Sequence, residues 1–446
     1  MATKQTEKKK LTPEKKKKIK LSENERALFN VIFKNNEEGI KAAAAAKEAG
    51  IERTTALGYV DNMVDKELIY ADNDKMLHVN GDFGYMLGCS FGKGETVICL
   101  ELADFTLASK AFINDLLDGD ALKFLDAYNF TSAVDGNEAI WRTETPNSTL
   151  QSLADMVDDI GKFVIALDHK INMISLSICF GDHVNNLTKT FVRSRLIPDY
   201  PMFNQDIPST LFSSRVLHQL TDRGITLNCD HNAKAALICE RNAQRGVLNP
   251  NKIQVGSTGI AIYMGTGLGS ALVAGFEPGS GHLIRSDDNG AGCRFGHLKV
   301  LSGEDCKGMG TCSCGLTDSG CLEQAVKRIF AGDKDDEGID FKKASGKEIR
   351  TYLENHPEKN EQFVELLSRA IITVCDIINC SFVCFTGRIS SFSKVFERQL
   401  NLKLIPYNNT IRNTNLKVLY SEIGPNAAAI GMGMIAFFNW LGEEID

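Results

Sequence analysis

The chain has 446 residues, of which 43% are hydrophobic and 24% are charged. This length exceeds one ordinary core, so two or three domains are expected, and the composition excludes a disordered chain. No apolar run reaches the roughly 18 residues that a membrane span needs, and no apolar segment follows the N-terminal lysines, which argues against a membrane partner and a secretory signal. The thirteen cysteines are an odd number, and several lie in apolar runs. That pattern favours reduced thiols, and therefore the cytoplasm, over a disulfide framework.

Charge is distributed unevenly along the chain. Residues 1–20 carry nine Lys against two Glu, a local excess of +7 in a chain whose net charge is −7. We predict a flexible basic arm over this segment, followed by an acidic body, which is an arrangement that nucleic-acid binders use. Charge alone leaves a solvated tail that aids solubility as an equal alternative.

Residues 21–80 have the pattern of a winged helix-turn-helix domain. Ser22 and Glu25 form a capping-box signature at the start of a first helix. A second helix is predicted from Ile40 to Ala49, a third from Ile51 to about Lys66, and a β-hairpin wing around the polar turn 71–75. The third helix would expose side chains that can reach phosphates or base edges. These candidate DNA-binding residues are Arg53, Thr54, Thr55, Tyr59 and Asn62. A helical cap without a DNA partner is the alternative.

From Gly84 onward, strands alternate with helices, which indicates an α/β architecture. One candidate site is the turn from Gly265 to Gly269, where glycines would let backbone N–H groups approach a phosphate, although a simple strand reversal would look the same. Another is Asp230, which follows a predicted strand and precedes a predicted helix. It is a candidate general base or ligand anchor, and an N-cap role is the alternative.

A third segment carries the strongest chemical signal. One His and three of the Cys in a stretch of 25 residues have the composition of a closed tetrahedral zinc site. The predicted ligands are His297, Cys312, Cys314 and Cys321. Scattered reduced thiols are the alternative, and Cys293 and Cys306 are nearby competitors for a ligand position.

The order of these motifs resembles that of the ROK family, whose members are repressors, open reading frames and sugar kinases. The resemblance runs from Gly84 to the C-terminus and includes a degenerate phosphate turn at 90–94 and the ending Gly424-Pro425-Asn426-Ala427. It implies an actin/hexokinase-like (ribonuclease H-like) fold with a sugar cleft between two lobes, usually in a homodimer or tetramer. The expected lobes are 84–206 and 207–446, with a C-terminal helix that can return to the first lobe. The repressor branch of the family carries an N-terminal winged helix.

Three departures from the family pattern argue against phosphoryl transfer. Ser90 stands where family kinases carry an aspartate that helps to organise the magnesium-nucleotide. Cys229 replaces an asparagine before Asp230. Arg294 replaces a glutamate, so a permanently charged hydrogen-bond donor takes the place of a group that accepts from a sugar hydroxyl.

The predicted zinc loop also departs from the family pattern. It has four residues between Gly315 and Gly320 where the family has two, and this lengthening costs little free energy.

The sequence therefore predicts a sugar-responsive, DNA-binding transcriptional regulator, with repression as the first expectation and zinc as a structural cofactor. Operator DNA and a sugar or sugar derivative are the predicted partners. By resemblance, the effector contacts are Asp230, His297 and Glu323, and the vestigial nucleotide-phosphate turn is Gly265, Thr266, Gly267 and Gly269. Arg294 departs from the family pattern and is a further candidate contact, to an acidic or phosphorylated sugar, with pairing to a structural acid as the alternative. The alternative is an ATP-dependent sugar kinase that uses Mg²⁺ and Asp230 as its base. A sensor that has lost its small ligand remains open.

Overall fold

The computed structural model describes residues 21–441, with gaps. The gaps are residues 93, 117–118, 133–136, 147, 195, 198–201, 244, 249–252, 255, 277–293, 313–314, 334–335 and 409–415. The predicted basic arm, Cys293 and the predicted zinc ligand Cys314 lie outside the described residues.

The first unit is a winged helix-turn-helix of three helices and a small antiparallel sheet ordered β1-β3-β2. Its elements are α1 (Glu23–Lys34), β1 (Ile40–Lys41), α2 (Ala42–Glu48), α3 (Arg53–Asp65), β2 (Ile69–Ala71) and β3 (Met76–Val79). Ser22 and Glu25 form both reciprocal hydrogen bonds of the predicted capping box. The second helix begins later than predicted, because Ile40 and Lys41 pair with the wing strand β3 before the chain turns into α2.

The first lobe is built on a six-stranded sheet ordered β12-β8-β4-β5-β7-β6. The strands of this sheet are β4 (Tyr85–Phe91), β5 (Thr96–Leu102), β6 (Thr131–Ser132), β7 (Ile140–Thr143), β8 (Met173–Phe180) and β12 (Thr226–His231). A second, three-stranded sheet contains β9 (His183–Asn185), β10 (Thr190–Ser194) and β11 (Met202–Asp206). The helices are α4 (Lys110–Leu116), α5 (Gly119–Ala127), α6 (Leu150–Asp168), α7 (Ile207–Leu211) and α8 (Ser214–Asp222). The six-stranded sheet therefore extends past residue 206, because β12 pairs in parallel with β8.

The second lobe is built on a four-stranded sheet ordered β14-β13-β17-β18. Its strands are β13 (Ser257–Met264), β14 (Leu268–Phe276), β17 (Phe382–Gly387) and β18 (Lys417–Tyr420), and a small hairpin joins β15 (Gly332–Asp333) to β16 (Asp336–Glu337). The helices of this part are α9 (Asn232–Asn242), α10 (Leu322–Phe330), α11 (Gly346–Asn355), α12 (Pro357–Ile378), α13 (Lys394–Asn408) and α14 (Ala427–Leu441). None of the helices in the described ranges combines the length and the apolar character that a bilayer crossing needs.

Helices α9 and α14 pack against each other between the two lobes. Their side chains share one hydrophobic cluster with residues of both large sheets, such as Cys179 and Cys384. The crossing is very close, because a Cβ added at Gly431 would lie 1.7 Å from the carbonyl oxygen of Ala235. Only glycine permits this approach. The same helix α14 also packs against β4, so the C-terminal helix returns to the first lobe.

Candidate ligand cleft and metal centre

A cavity of about 810 Å³ lies between the lobes, within the size range of small-molecule sites. Both lobes line it. The first lobe contributes Ser90, Asp182, His183 and His231, and the second contributes Tyr263, the turn at 265–269, Arg294, His297, Glu323, Lys327 and Arg388. The cavity therefore collects polar and charged groups from segments that are far apart in the sequence.

Three of the predicted zinc ligands converge at one end of this cavity. The ligand atoms of His297, Cys312 and Cys321 all lie within 4.8 Å of one another. The distance from Cys312 Sγ to His297 Nδ1 is 3.4 Å, and the two sulfur atoms are 3.2 Å apart. Two thiols and an imidazole, with both cysteines buried, are a donor set that suits zinc. Among the described residues, Cys306 is buried nearby but is not part of this cluster.

Two further predicted contacts lie at the metal end of the cavity. Glu323 is buried and forms an ion pair with Lys327 one helical turn later. Its carboxyl carbon lies 3.6 Å from the place where a Cβ of Gly267 would be, so Glu323 adjoins the glycine turn. Arg294 is exposed at the mouth of the cavity, and its Nη2 lies 3.4 Å from His183 Nδ1.

The structure places Asp230 differently from the effector contact that the sequence predicts. Asp230 lies within the end of β12 rather than after it, and it is not among the described residues that line the cavity. Its Oδ2 forms a 3.1 Å ion pair with Lys234 Nζ. Its Oδ1 accepts a 2.7 Å hydrogen bond from the backbone N–H of His231. The N-cap of α9 is His231, whose Nδ1 accepts from the N–H of Ala233.

Beyond Glu323, the cavity wall is formed by the predicted phosphate turn, which together with Ser90 and Arg388 is called the phosphate end below. Ser90 is buried and its hydroxyl is hydrogen-bonded with Cys179 and Tyr263. The N–H of Gly265 donates to the carbonyl of Gly267, so this amide is used within the turn. A Cβ added at Gly92 would lie 3.8 Å from Thr266 Cγ2, which brings the two turns face to face.

Arg388 occupies this phosphate end, although no local pattern in the sequence singles it out. Its guanidinium donates to three backbone carbonyls, those of Gly265, Ala344 and, at 2.9 Å, Phe341. Burial lowers the pKa of Arg388 to about 10, so the group stays charged at neutral pH. The side chain thus binds the carbonyl of the very turn that would have to offer amides to a phosphate.

The five candidate DNA-binding residues divide into two groups. Arg53, Thr54 and Thr55 are exposed in the first turn of α3. Tyr59 and Asn62 lie toward α1, where the Tyr59 hydroxyl accepts from Asn24 at 3.5 Å and the Asn62 amide donates to Glu25. The first group is therefore exposed, whereas Tyr59 and Asn62 each also bond to a residue of α1.

The fold and the cleft define a two-lobed, actin/hexokinase-like protein with an N-terminal winged helix. A model of the ROK family matches residues 130–437, which are 308 of the 446 residues, so the chain belongs to the ROK family. No curated protein sequence matches the chain significantly.

Solved structures share the fold at low sequence identity. One is a ROK-family transcriptional regulator described as a homologue of the E. coli MLC protein, with a TM-score of 0.64 and 14% identity over 94% of this chain and 97% of that one. Another is the ROK-family glucokinase of Streptomyces griseus, with a TM-score of 0.53 and 15% identity over 79% and 99%. A third is the glucokinase of Balamuthia mandrillaris, with a TM-score of 0.50 and 10% identity over 79% and 93%.

Proposed function

We propose that this chain is a DNA-binding transcriptional regulator, in the first instance a repressor, whose affinity for its operator changes when a sugar or sugar derivative binds in the cleft. A symmetric dimer or tetramer would bind a palindromic operator through its winged helices. The effector would act by binding one of two conformations of the lobes more tightly than the other.

One observation carries this proposal: the winged helix packs directly on the helix that joins the two lobes. The ring centre of Phe29 in α1 lies 5.9 Å from that of Phe437 in α14, and the ring centres of Phe33 and Phe105, which follows β5, are 4.5 Å apart. Phe83 lies 5.1 Å from Trp440 at the end of α14. Phe29, Phe437 and Trp440 belong to one buried cluster that spans both units, and Phe33, Phe83 and Phe105 pack against it. A change in the angle between the lobes would move α14, and the aromatic contacts would pass that movement to the winged helix.

A structural zinc ion is part of the proposal. His297, Cys312 and Cys321 would hold it, with Cys314, which lies outside the described residues, as the fourth ligand. The ion would fix the loop that carries His297 into the cleft. A tetrahedral site with four protein ligands has no open position, so its role would be structural rather than catalytic.

An ATP-dependent sugar kinase is the rival function, and similar structures include glucokinases. Phosphoryl transfer needs a metal-nucleotide and a base for the acceptor hydroxyl. Here Ser90 offers no carboxylate to a metal, and Asp230 pairs with Lys234 and is not among the described residues that line the cavity. ATP turnover on a panel of sugars at ordinary kinase rates would overturn the proposal.

The charge of the winged helix makes the basic arm central to DNA binding. Residues 21–80 carry seven Lys and Arg against eleven Asp and Glu, whereas residues 1–20 carry the excess of +7. An acidic domain gains little from the phosphate backbone, so the arm would provide the salt-sensitive affinity. The exposed start of α3 would read the bases.

We expect deletion of residues 1–20 to make the slope of log affinity against log salt concentration less steep. The slope should change by about 0.9 for each phosphate that the arm neutralises. The preferred sequence, determined by selection from random DNA, should stay the same. Thr55→Ala should instead change which sequence is preferred, with Tyr59→Phe as a milder test because Tyr59 already contacts α1. An unchanged salt slope after the deletion would show that the arm does not bind the phosphates.

A further inference from the structure

The carboxylate at the end of β12 is fully engaged inside the protein. The side chains of Asp230 and Lys234 are only 6% and 15% exposed, and their charges are paired at 3.1 Å. The second carboxylate oxygen accepts the N–H of His231. A ligand hydroxyl that displaced Lys234 would leave a largely buried ammonium without its partner, which is costly. Asp230 is therefore poorly placed to receive a ligand.

The next residue, His231, faces the cavity that Asp230 does not line. Its Nδ1 accepts a 3.3 Å hydrogen bond from the N–H of Ala233, which leaves Nε2 to carry the proton of the neutral ring. Burial lowers the pKa of His231, against the opposing influence of Asp230 and Asp182. The ring lies beside the glycine turn, where a Cβ at Gly269 would be 3.5 Å from its Cε1. The neutral ring thus offers one N–H donor at the cavity wall.

Arg294 and His183 line the same cavity. Arg294 contacts His183 Nδ1 at 3.4 Å, so Nε2 of His183 carries the proton when that ring is neutral. A guanidinium has about five N–H donors, more than this one contact uses. His231, His183 and Arg294 come from β12, β9 and the segment before His297, and all three line the one cavity. Such a set suits a ligand that presents acceptor oxygens.

We propose that His231, and not Asp230, is the ligand-binding residue at the end of β12, and that it binds an oxyanion group, a carboxylate or a phosphate, carried by the sugar. Lys234 is a positioning residue that keeps the Asp230 carboxylate out of the cleft. This inference rests on the proposed sugar-sensing role of the same cavity, and it names the class of effector.

The test measures binding by calorimetry to the full chain, with a hexuronic acid, a hexose 6-phosphate and the parent neutral hexose as probes. We expect His231→Ala to weaken binding of an oxyanion probe by about tenfold or more, the range for a hydrogen bond to a charged group. The matched control is His218→Ala, because His218 is 77% exposed on α8. Whichever of the two oxyanion probes loses affinity in His231→Ala identifies carboxylate or phosphate.

A double variant separates the two neighbouring residues. Asp230→Asn with Lys234→Met removes both charges of the pair at nearly constant volume. We expect it to bind the oxyanion probe within about threefold of wild type, since an exchange of a buried ion pair for neutral groups is often tolerated. Loss of binding in this variant, with His231→Ala unaffected, would overturn the proposal. Failure of every oxyanion probe to bind wild type would do the same.

The sugar-binding measurements do not involve DNA, so the two proposals can fail separately. If the oxyanion probe binds as expected but does not change operator affinity, the regulator proposal fails and the assignment of His231 stands. If operator affinity responds only to the neutral hexose, the regulator proposal stands and the assignment of His231 fails.

Discussion

The two ends of the cleft are built from different kinds of contact. At the metal end, His297, Cys312 and Cys321 present their ligand atoms to one point, and Glu323 and Arg294 lie beside them. At the phosphate end, the polar groups are used by the protein itself. Ser90 bonds with neutral groups, and Arg388 donates to the carbonyl of the glycine turn. The comparison supports our proposal that Ser90 and Arg388 are structural, whereas the ligand binds at the other side chains that line the cleft.

The largest effect is expected at the metal end. Cys312→Ser should lower the free energy of unfolding by about 3–5 kcal/mol, because loss of a structural metal is among the largest single-residue effects. Bound zinc, measured by elemental analysis, should fall from about one ion per chain. Cys306→Ser is the matched control, since Cys306 is a buried cysteine outside the cluster. Gently purified wild type without metal, or a Cys312→Ser variant that unfolds like the parent, would contradict the metal assignment.

The metal end was also the easier one to predict from the sequence. Its predicted ligands follow one another within a short segment, so their spacing alone predicts a shared site. The winged helix and the α/β lobes were predictable for a similar reason, because caps and periodic apolar positions are local signals. The side chain of Cys314 and the basic arm stay predictions, since the described residues do not include them.

The contacts that define the phosphate end could not be read from local patterns. Arg388 reaches Gly265, which is 123 residues away in the sequence. Phe29 meets Phe437 across almost the whole chain. Asp230 and Lys234 are four residues apart, which is the spacing of ion pairs within a helix. Asp230 lies in β12 and not in the helix, however, so helical periodicity did not predict this pair. Each of these contacts depends on the packing of elements that sequence periodicity does not orient.

An intermediate effect is expected at the phosphate end. Arg388→Ala should lower the free energy of unfolding by about 2–3 kcal/mol, because it leaves three carbonyls without their charged donor. Arg369→Ala is a suitable control, since Arg369 is 58% exposed and pairs with Glu365 at the surface of α12; its cost should stay below about 0.5 kcal/mol. Addition of Mg-ATP should not raise the melting temperature of wild type. A large stabilisation by Mg-ATP would show that this end still binds a nucleotide.

The smallest effect is expected for Arg294, an exposed cation that lines the cleft. A guanidinium pairs bidentately with carboxylate or phosphate, but Arg294 is exposed, and solvent weakens an exposed ion pair. We therefore expect Arg294→Glu to weaken binding of a hexuronic acid or hexose phosphate by only about threefold to fivefold, the upper part of the range for exposed pairs. Binding of a neutral hexose should change by less than about twofold. Arg294→Lys keeps the charge without the planar fork, so its affinity should fall between those of wild type and Arg294→Glu if the fork matters. Binding of the anionic sugar that is unchanged by either substitution would remove Arg294 from the site, whereas equal binding of neutral and anionic sugars by wild type would contradict the oxyanion role of His231 as well.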